Sequence, residues 1–114
     1  MSRDWLLYLD DLIASAERIE RYVAERDACP GAGNEALFDA VLFNLQVIGE
    51  AVKRLPEDAL EQLPEAAGAR PARLRDLIAH RYFALDPEII WDAARNHVPR
   101  LLQQARALRG RSGG

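Results

Sequence analysis

Apolar residues return along the first quarter of the chain in alternating steps of four and three: Trp5, Leu9, Leu12, Ala16, Ile19 and Val23. That spacing draws a single stripe down an α-helix, which Leu6 and Ile13 broaden. Asp10, Asp11, Glu17, Glu20 and Arg21 fall mostly on the opposite face. The pattern predicts a helix from an N-cap at Ser2 or Asp4 to about Asp27. Pro30-Gly31-Ala32-Gly33-Asn34 then reads as a loop, with Asn34 placed to cap the next helix. The second stripe, Leu37, Val41, Leu45, Ile48, Val52 and Leu55, is joined by Phe38, Leu42 and Ala51. Apolar surface on more than one side marks this helix as the most buried. Gly49 within it costs roughly 1 kcal/mol relative to alanine, so its expected gain is the close approach of a neighbouring helix. Glu50 beside it reads as an exposed or capping carboxylate.

The remaining elements are shorter or interrupted. Pro56-Glu57-Asp58 can start a short helix carrying Leu60 and Leu63, which Pro64 would end, leaving Glu65 to Arg70 as a small-residue loop. Pro71 suits a first helical turn, with Leu74, Leu77 and Ile78 as the apolar side of the helix that follows. Asp86-Pro87-Glu88 supplies an N-cap, a first-position proline and a first-turn acid. The last helix then has Ile89, Ile90, Ala93, His97, Val98, Leu101, Ala105 and Leu108 as its inner side, with Trp91 at the edge. Pro99 lies inside that pattern and should kink it. No alternating strand pattern, internal repeat, Gly-rich phosphate loop or His-x-x-x-His pair occurs. The architecture expected is an all-α, up-and-down bundle of four main helices plus a short one: one domain over residues 1–109 and a flexible tail over 110–114.

Composition narrows the setting. A chain of 114 residues with 49% hydrophobic residues suits one folded domain with a real core. Cys29 is the single cysteine, so no internal disulfide forms, and it has no histidine or second cysteine nearby to make a zinc site. The N-terminus lacks a basic region followed by an apolar run, and no stretch approaches membrane-spanning length. The expected location is the cytoplasm. The net charge of −3 hides an asymmetry: residues 1–69 carry six Lys/Arg and fourteen Asp/Glu, whereas residues 70–114 carry nine and four. From Ala93 onward there are no acids, while Arg95, Arg100, Arg106, Arg109 and Arg111 remain. A basic segment of this kind can meet nucleic-acid phosphates or an acidic partner; its plainer reading is a solvated helix face with a loose basic tail.

Candidate chemistry concentrates in Arg75-Asp76-Leu77-Ile78-Ala79-His80-Arg81-Tyr82. His80 can take and give a proton near neutral pH, and the planar fork of Arg75 suits a phosphate. Together they could hold and cleave a phosphodiester without a metal. An arginine and a histidine near a helix end also complement the helix dipole, which is the purely structural alternative. Asp76 and His80 are four apart and can share a face, whereas Arg75 and His80 are separated by about 140° around a helix of 3.6 residues per turn. Either Arg75 reaches round or a second copy of the chain completes the site, so a composite site is expected. His97, on a mostly apolar stripe, reads as a hydrogen-bonded core histidine rather than a catalyst.

Two blocks carry a family resemblance. Val41-Leu42-Phe43-Asn44-Leu45-Gln46-Val47-Ile48-Gly49-Glu50-Ala51-Val52-Lys53-Arg54-Leu55 resembles the second-helix block of the HepT-like branch of the HEPN superfamily. Arg75-x4-His80-x-Tyr82-Phe83, followed by Asp86 and Ile90-Trp91, resembles that branch's main motif and the start of its last helix. The resemblance spans nearly the whole chain. It implies an all-α homodimer with Arg75 and His80 of both subunits lining a cleft at the two-fold interface. It also implies a metal-independent ribonuclease toxin that needs no cofactor, whose antitoxin is a small nucleotidyltransferase that modifies Tyr82. Arg73 and Arg81 would then hold the RNA backbone. The sequence departs from the branch at Asp76, where asparagine is common. A carboxylate there can orient His80 and favour its protonated form, and it also repels RNA phosphates. The alternative reading is a non-catalytic helical dimer that binds nucleotide or RNA and docks a nucleotidyltransferase.

Overall fold

The computed structural model describes residues 4–31, 33–69 and 86–112. Its first helix, α1 (Trp5–Ala28), follows Asp4 and buries Leu6, Leu9, Leu12, Ser15, Ala16 and Ile19. Those residues form the predicted stripe. Trp5, Ile13 and Val23 pack against its edges half-buried. Each fully buried leucine or isoleucine contributes roughly 1.5–3 kcal/mol of favourable transfer.

The reversal into α2 (Asn34–Arg54) is made by glycine. Gly31 and Gly33 have φ of 94° and 69°, the left-handed region that a side chain disfavours. Gly33 takes the N-cap position expected for Asn34, which becomes the first helical residue instead, and the Gly33 carbonyl accepts from the Leu37 N–H at 3.0 Å. The turn therefore needs positive φ at the position where side-chain capping was anticipated. Along α2, Val41, Leu42, Asn44, Leu45, Ile48, Gly49, Ala51 and Val52 are buried, more positions than α1 buries, while Leu37 and Phe38 are half-buried. Glu50 bonds Arg54 one turn on, at 3.3 Å.

After α2 comes a single short turn of helix, α3 (Glu57–Leu60), whose Ala59 is buried. The expected loop after Pro64 is instead a 3₁₀ helix, Pro64–Ala69. Proline's fixed φ opens this helix rather than merely closing the one before. Its three-residue repeat keeps Leu63 and Ala66 on one face, both in the core, with the Ala66 N–H on the Leu63 carbonyl at 2.9 Å.

The C-terminal part is a rod in three consecutive pieces: α4 (Pro87–Asp92), a π-helical turn (Ala93–His97) and α5 (Val98–Arg111). Asp86 caps it as its sequence implies, its Oδ1 accepting from the Glu88 N–H at 2.9 Å. Ahead of Pro99, where a kink was expected, the structure has the π turn. Pro99 has no N–H for the carbonyl one turn back, and the Val98 N–H bonds the Ala93 carbonyl across five residues. The wider turn rephases the buried stripe to Ile90, Ala94, Val98 and Leu102 in steps of four, continuing to Ala105 and Leu108. Ala93 and His97, expected inside, are thereby rotated to half-exposed positions, and Ile89 is 60% exposed. Trp91, expected at the edge, is buried.

The described residues contain no strand, and the fold is all-α. None of the helices among them is long and apolar enough to cross a membrane. The helix predicted after Pro71 lies outside the described residues.

Candidate functional site

Arg73, Arg75, Asp76, His80, Arg81 and Tyr82 all fall within residues 70–85, outside the described residues. The structure describes the two stretches that flank this segment, and it brings them together.

Glu65 is the meeting point. Its backbone N–H donates to Oε1 of Gln104 on α5 at 2.9 Å, and its carboxylate Oε1 lies 2.6 Å from Nδ1 of His97 at the end of the π turn. A carboxylate accepts, so the Nδ1–H of His97 donates. The Glu65 side chain is only 15% exposed, and a carboxylate so far removed from water needs such a donor. On the solvent side, Nε2 of His97 lies 3.8 Å from Asp92, whose other oxygen accepts from the Asn96 amide at 2.6 Å. Three residues before Glu65, Gln62 Oε1 accepts from Nε and Nη2 of Arg111 at 3.0 and 2.7 Å. Gln62 and Glu65 thus attach the stretch leading into segment 70–85 to the rod that follows it.

Sequence reasoning expected a hydrogen bond for His97, and the bond exists; it does not place the ring in the core. The side chain is 35% exposed, because the π turn moves it off the apolar stripe. Its partner Glu65 was not anticipated. The available signal was Pro99 two residues after His97, which marks where the helical phase must change.

The charge asymmetry resolves into contacts between α1 and the rod. Asp10 meets Arg109 at 2.7 Å, Glu17 meets Arg106 at 2.7 Å, and Asp27 meets Arg95 through both carboxylate oxygens at 2.7 and 2.8 Å. The descending and ascending numbers show that the two elements run antiparallel. Arg95 holds the Asp27 carboxyl below its ordinary range, chiefly by hydrogen bonding, and the same bond raises the arginine. Three of the five arginines beyond Ala93 therefore face acids of the same chain, and Arg111 is occupied by Gln62. The basic segment is mostly the complement of an acidic helix. Arg26 adds a further link, its guanidinium carbon 4.4 Å from the Trp91 ring centroid, with Phe38 tilted against the same ring at 6.1 Å.

No group of three or more His, Cys, Asp or Glu side chains suited to a metal occurs among the described residues. Cys29 is free and exposed at the end of α1.

Comparison with known proteins places this frame. The family model described as "Ribonuclease HepT-like" matches residues 12–108. A protein of Thermococcus cleftensis named "Probable ribonuclease HepT" is 31% identical over 109 residues, 96% of this chain and 99% of that one. Two proteins of Methanocaldococcus jannaschii also match. One, named "Putative RNase MJ0127", is 52% identical over 60 residues, 53% of this chain and 50% of that protein. The other, named "Gamma-glutamylcyclotransferase and putative RNase MJ0434", is 29% identical over 104 residues, 91% of this chain and 47% of that protein. The aligned part thus spans about half the length of each of these last two. No solved structure matches the chain. The family match takes in the second-helix block, the Arg75-x4-His80-x-Tyr82 segment and nearly all of the rod, and the chain belongs to the HepT-like ribonuclease family of the HEPN superfamily.

Proposed function

We propose that this protein is a metal-independent endoribonuclease and the toxin of a HEPN/nucleotidyltransferase pair. The observation that carries the reading is the family match over residues 12–108, which includes the arginine, histidine and tyrosine of the motif in their expected spacing. The names of the relatives, each referring to an RNase, support it.

In this reading the domain spans residues 1–109 with a short tail over 110–114, and it works as a homodimer in the cytoplasm. The two copies contribute Arg75 and His80 to one cleft. The 2′-hydroxyl of a ribose attacks the adjacent phosphorus and its proton leaves to a base. The bond from phosphorus to the 5′-oxygen breaks as that oxygen receives a proton, giving a 2′,3′-cyclic phosphate and a 5′-hydroxyl. His80 makes one of these proton transfers, and Arg75 stabilises the charge building on the non-bridging oxygens. Arg73 and Arg81 hold the RNA backbone, and Asp76 orients His80. A nucleotidyltransferase antitoxin silences the site by transferring nucleotide to the Tyr82 hydroxyl.

The test is cleavage of end-labelled RNA by purified protein in excess EDTA, wild type beside His80→Ala. Cleavage by wild type alone is expected. Equal cleavage by both removes His80 from the mechanism, and cleavage only after EDTA is titrated with a divalent metal overturns the metal-independent step.

A second reading, a non-catalytic dimer that docks a nucleotidyltransferase, is favoured by two observations. Asp76 puts an acid directly after Arg75 in sequence, where the branch commonly has asparagine, and Arg95, Arg106 and Arg109 already face carboxylates of the same chain. Unmodified wild-type dimer that binds the transferase and leaves RNA intact is the result that selects it.

A further inference from the structure

We infer that Glu65 and His97 form a positioning pair for the ribonuclease site, a pin that fixes both ends of the segment carrying Arg75 and His80; the inference rests on the reading of that segment as catalytic. Glu65 stands five residues before residue 70, and His97 stands twelve after residue 85. Their 2.6 Å contact therefore closes a loop of chain around the whole segment. A single hydrogen bond across 32 residues would be a weak tether if either end could swivel. Neither end is placed to do so. Leu63 and Ala66 bury the 3₁₀ helix on both sides of Glu65, and Gln104 takes its backbone N–H. His97 is set by the π turn between buried Ala94 and Val98, and its outer side, towards Asp92, remains partly exposed.

The π turn supplies an independent argument. Pro99 sets it, and it removes His97 from the apolar stripe where a regular helix would bury it. It thereby aims the ring at a carboxylate that is itself largely shielded from water. A π turn is a costly local geometry that recurs at functional positions. Nδ1 is committed to Glu65, while Nε2, on the solvent side, lies 3.8 Å from Asp92, beyond hydrogen-bond range. The pair acts through what it holds.

A positioning role predicts that kcat suffers while KM does not, since misplacement of reacting groups by about 1 Å can cost up to about 100-fold in rate. Glu65→Ala and His97→Ala are each expected to lower kcat about ten-fold or more with KM little changed, and the double variant to be no worse than either. Glu65→Gln still accepts from Nδ1–H and His97→Gln still donates to Glu65, so both should recover most of the rate. Alanine variants with wild-type kcat overturn the inference, as do glutamine variants that fall as far as alanine. The second measurement is hydrogen exchange of the intact protein, followed peptide by peptide. Glu65→Ala should speed exchange in peptides spanning 62–85 and 93–104 and leave those of α1 unchanged. Unchanged exchange across 62–85 overturns the pin, and uniform acceleration shows a merely global loss of stability and overturns it too. If wild-type protein cleaves no RNA, the ribonuclease reading fails alone, and the exchange comparison decides whether the pin exists.

Discussion

Arg95 grips Asp27 with both terminal nitrogens, at 2.8 and 2.7 Å, joining the end of α1 to the π turn across 68 residues of sequence. The pairing is bidentate, the geometry that makes an arginine–carboxylate contact directional as well as attractive. Both side chains are exposed, so the contribution to stability is small and screened by salt.

Its pH dependence nevertheless has a definite sign. The folded-state pKa of Asp27 lies below its ordinary value of 3.8, so the contribution is fully present above that value and is lost as pH falls through the lower, folded-state value. Arg95 is shifted upward by the same bond, so its part is present throughout the acidic and neutral range. The melting-temperature difference between wild type and Asp27→Asn is therefore expected to stay constant from neutral pH to about pH 5 and to shrink towards zero in stronger acid. A difference that grows on acidification contradicts the assignment.

Substitutions along α1 should separate by face. Leu9 is fully buried, whereas Leu7 is 66% exposed. Leu9→Ala is expected to cost about 2–5 kcal/mol through lost transfer energy and the cavity left behind. Leu7→Ala should stay within about 0.5 kcal/mol. Urea denaturation of both variants checks this, with the slope held equal so that the midpoints report stability.

The contrast between Leu9 and Leu7 was readable in the sequence, because a helix of regular phase converts spacing directly into burial. The same rule failed at Ala93 and His97, where the π turn changes the phase, a feature no fixed-period pattern contains. Gly33 was missed as a cap for a related reason: the turn's positive φ overrides side-chain capping preference. At the candidate site the residue types of Arg75, His80 and Tyr82 suggest a chemistry, and all three lie outside the described residues. The Glu65–His97 contact was not legible, since it joins an apparent loop to an apparent core position and depends wholly on tertiary geometry.

Trp91 and Arg26 should behave as a coupled pair. The guanidinium lies over the ring at 4.4 Å, and the ring itself is buried against Phe38 and the core. Trp91→Ala is expected to cost about 3–5 kcal/mol, most of it packing. Arg26→Ala should cost roughly 0.5–1 kcal/mol in the presence of Trp91 and less in its absence. A double-mutant cycle by chemical denaturation measures the difference. Equal costs for Arg26→Ala in both backgrounds would mean that the stacking contributes nothing.

Asn44 is the anomaly of the core. It is 3% exposed among leucines and valines of α2, its amide nitrogen donates to the Ala40 carbonyl at 2.8 Å, and its Oδ1 is buried with no hydrogen-bond partner among the described residues. A buried acceptor left unsatisfied costs about 1–3 kcal/mol, and replacing it with an apolar group of similar shape removes that cost. Asn44→Leu is therefore expected to raise the denaturation midpoint, by an equivalent of about 1 kcal/mol. Such a gain would show that the folded chain is held below its attainable stability by this one oxygen. Comparing RNA cleavage by the same variant would then show whether the oxygen is kept for activity. A lowered midpoint contradicts the reading of Oδ1 as an unsatisfied acceptor.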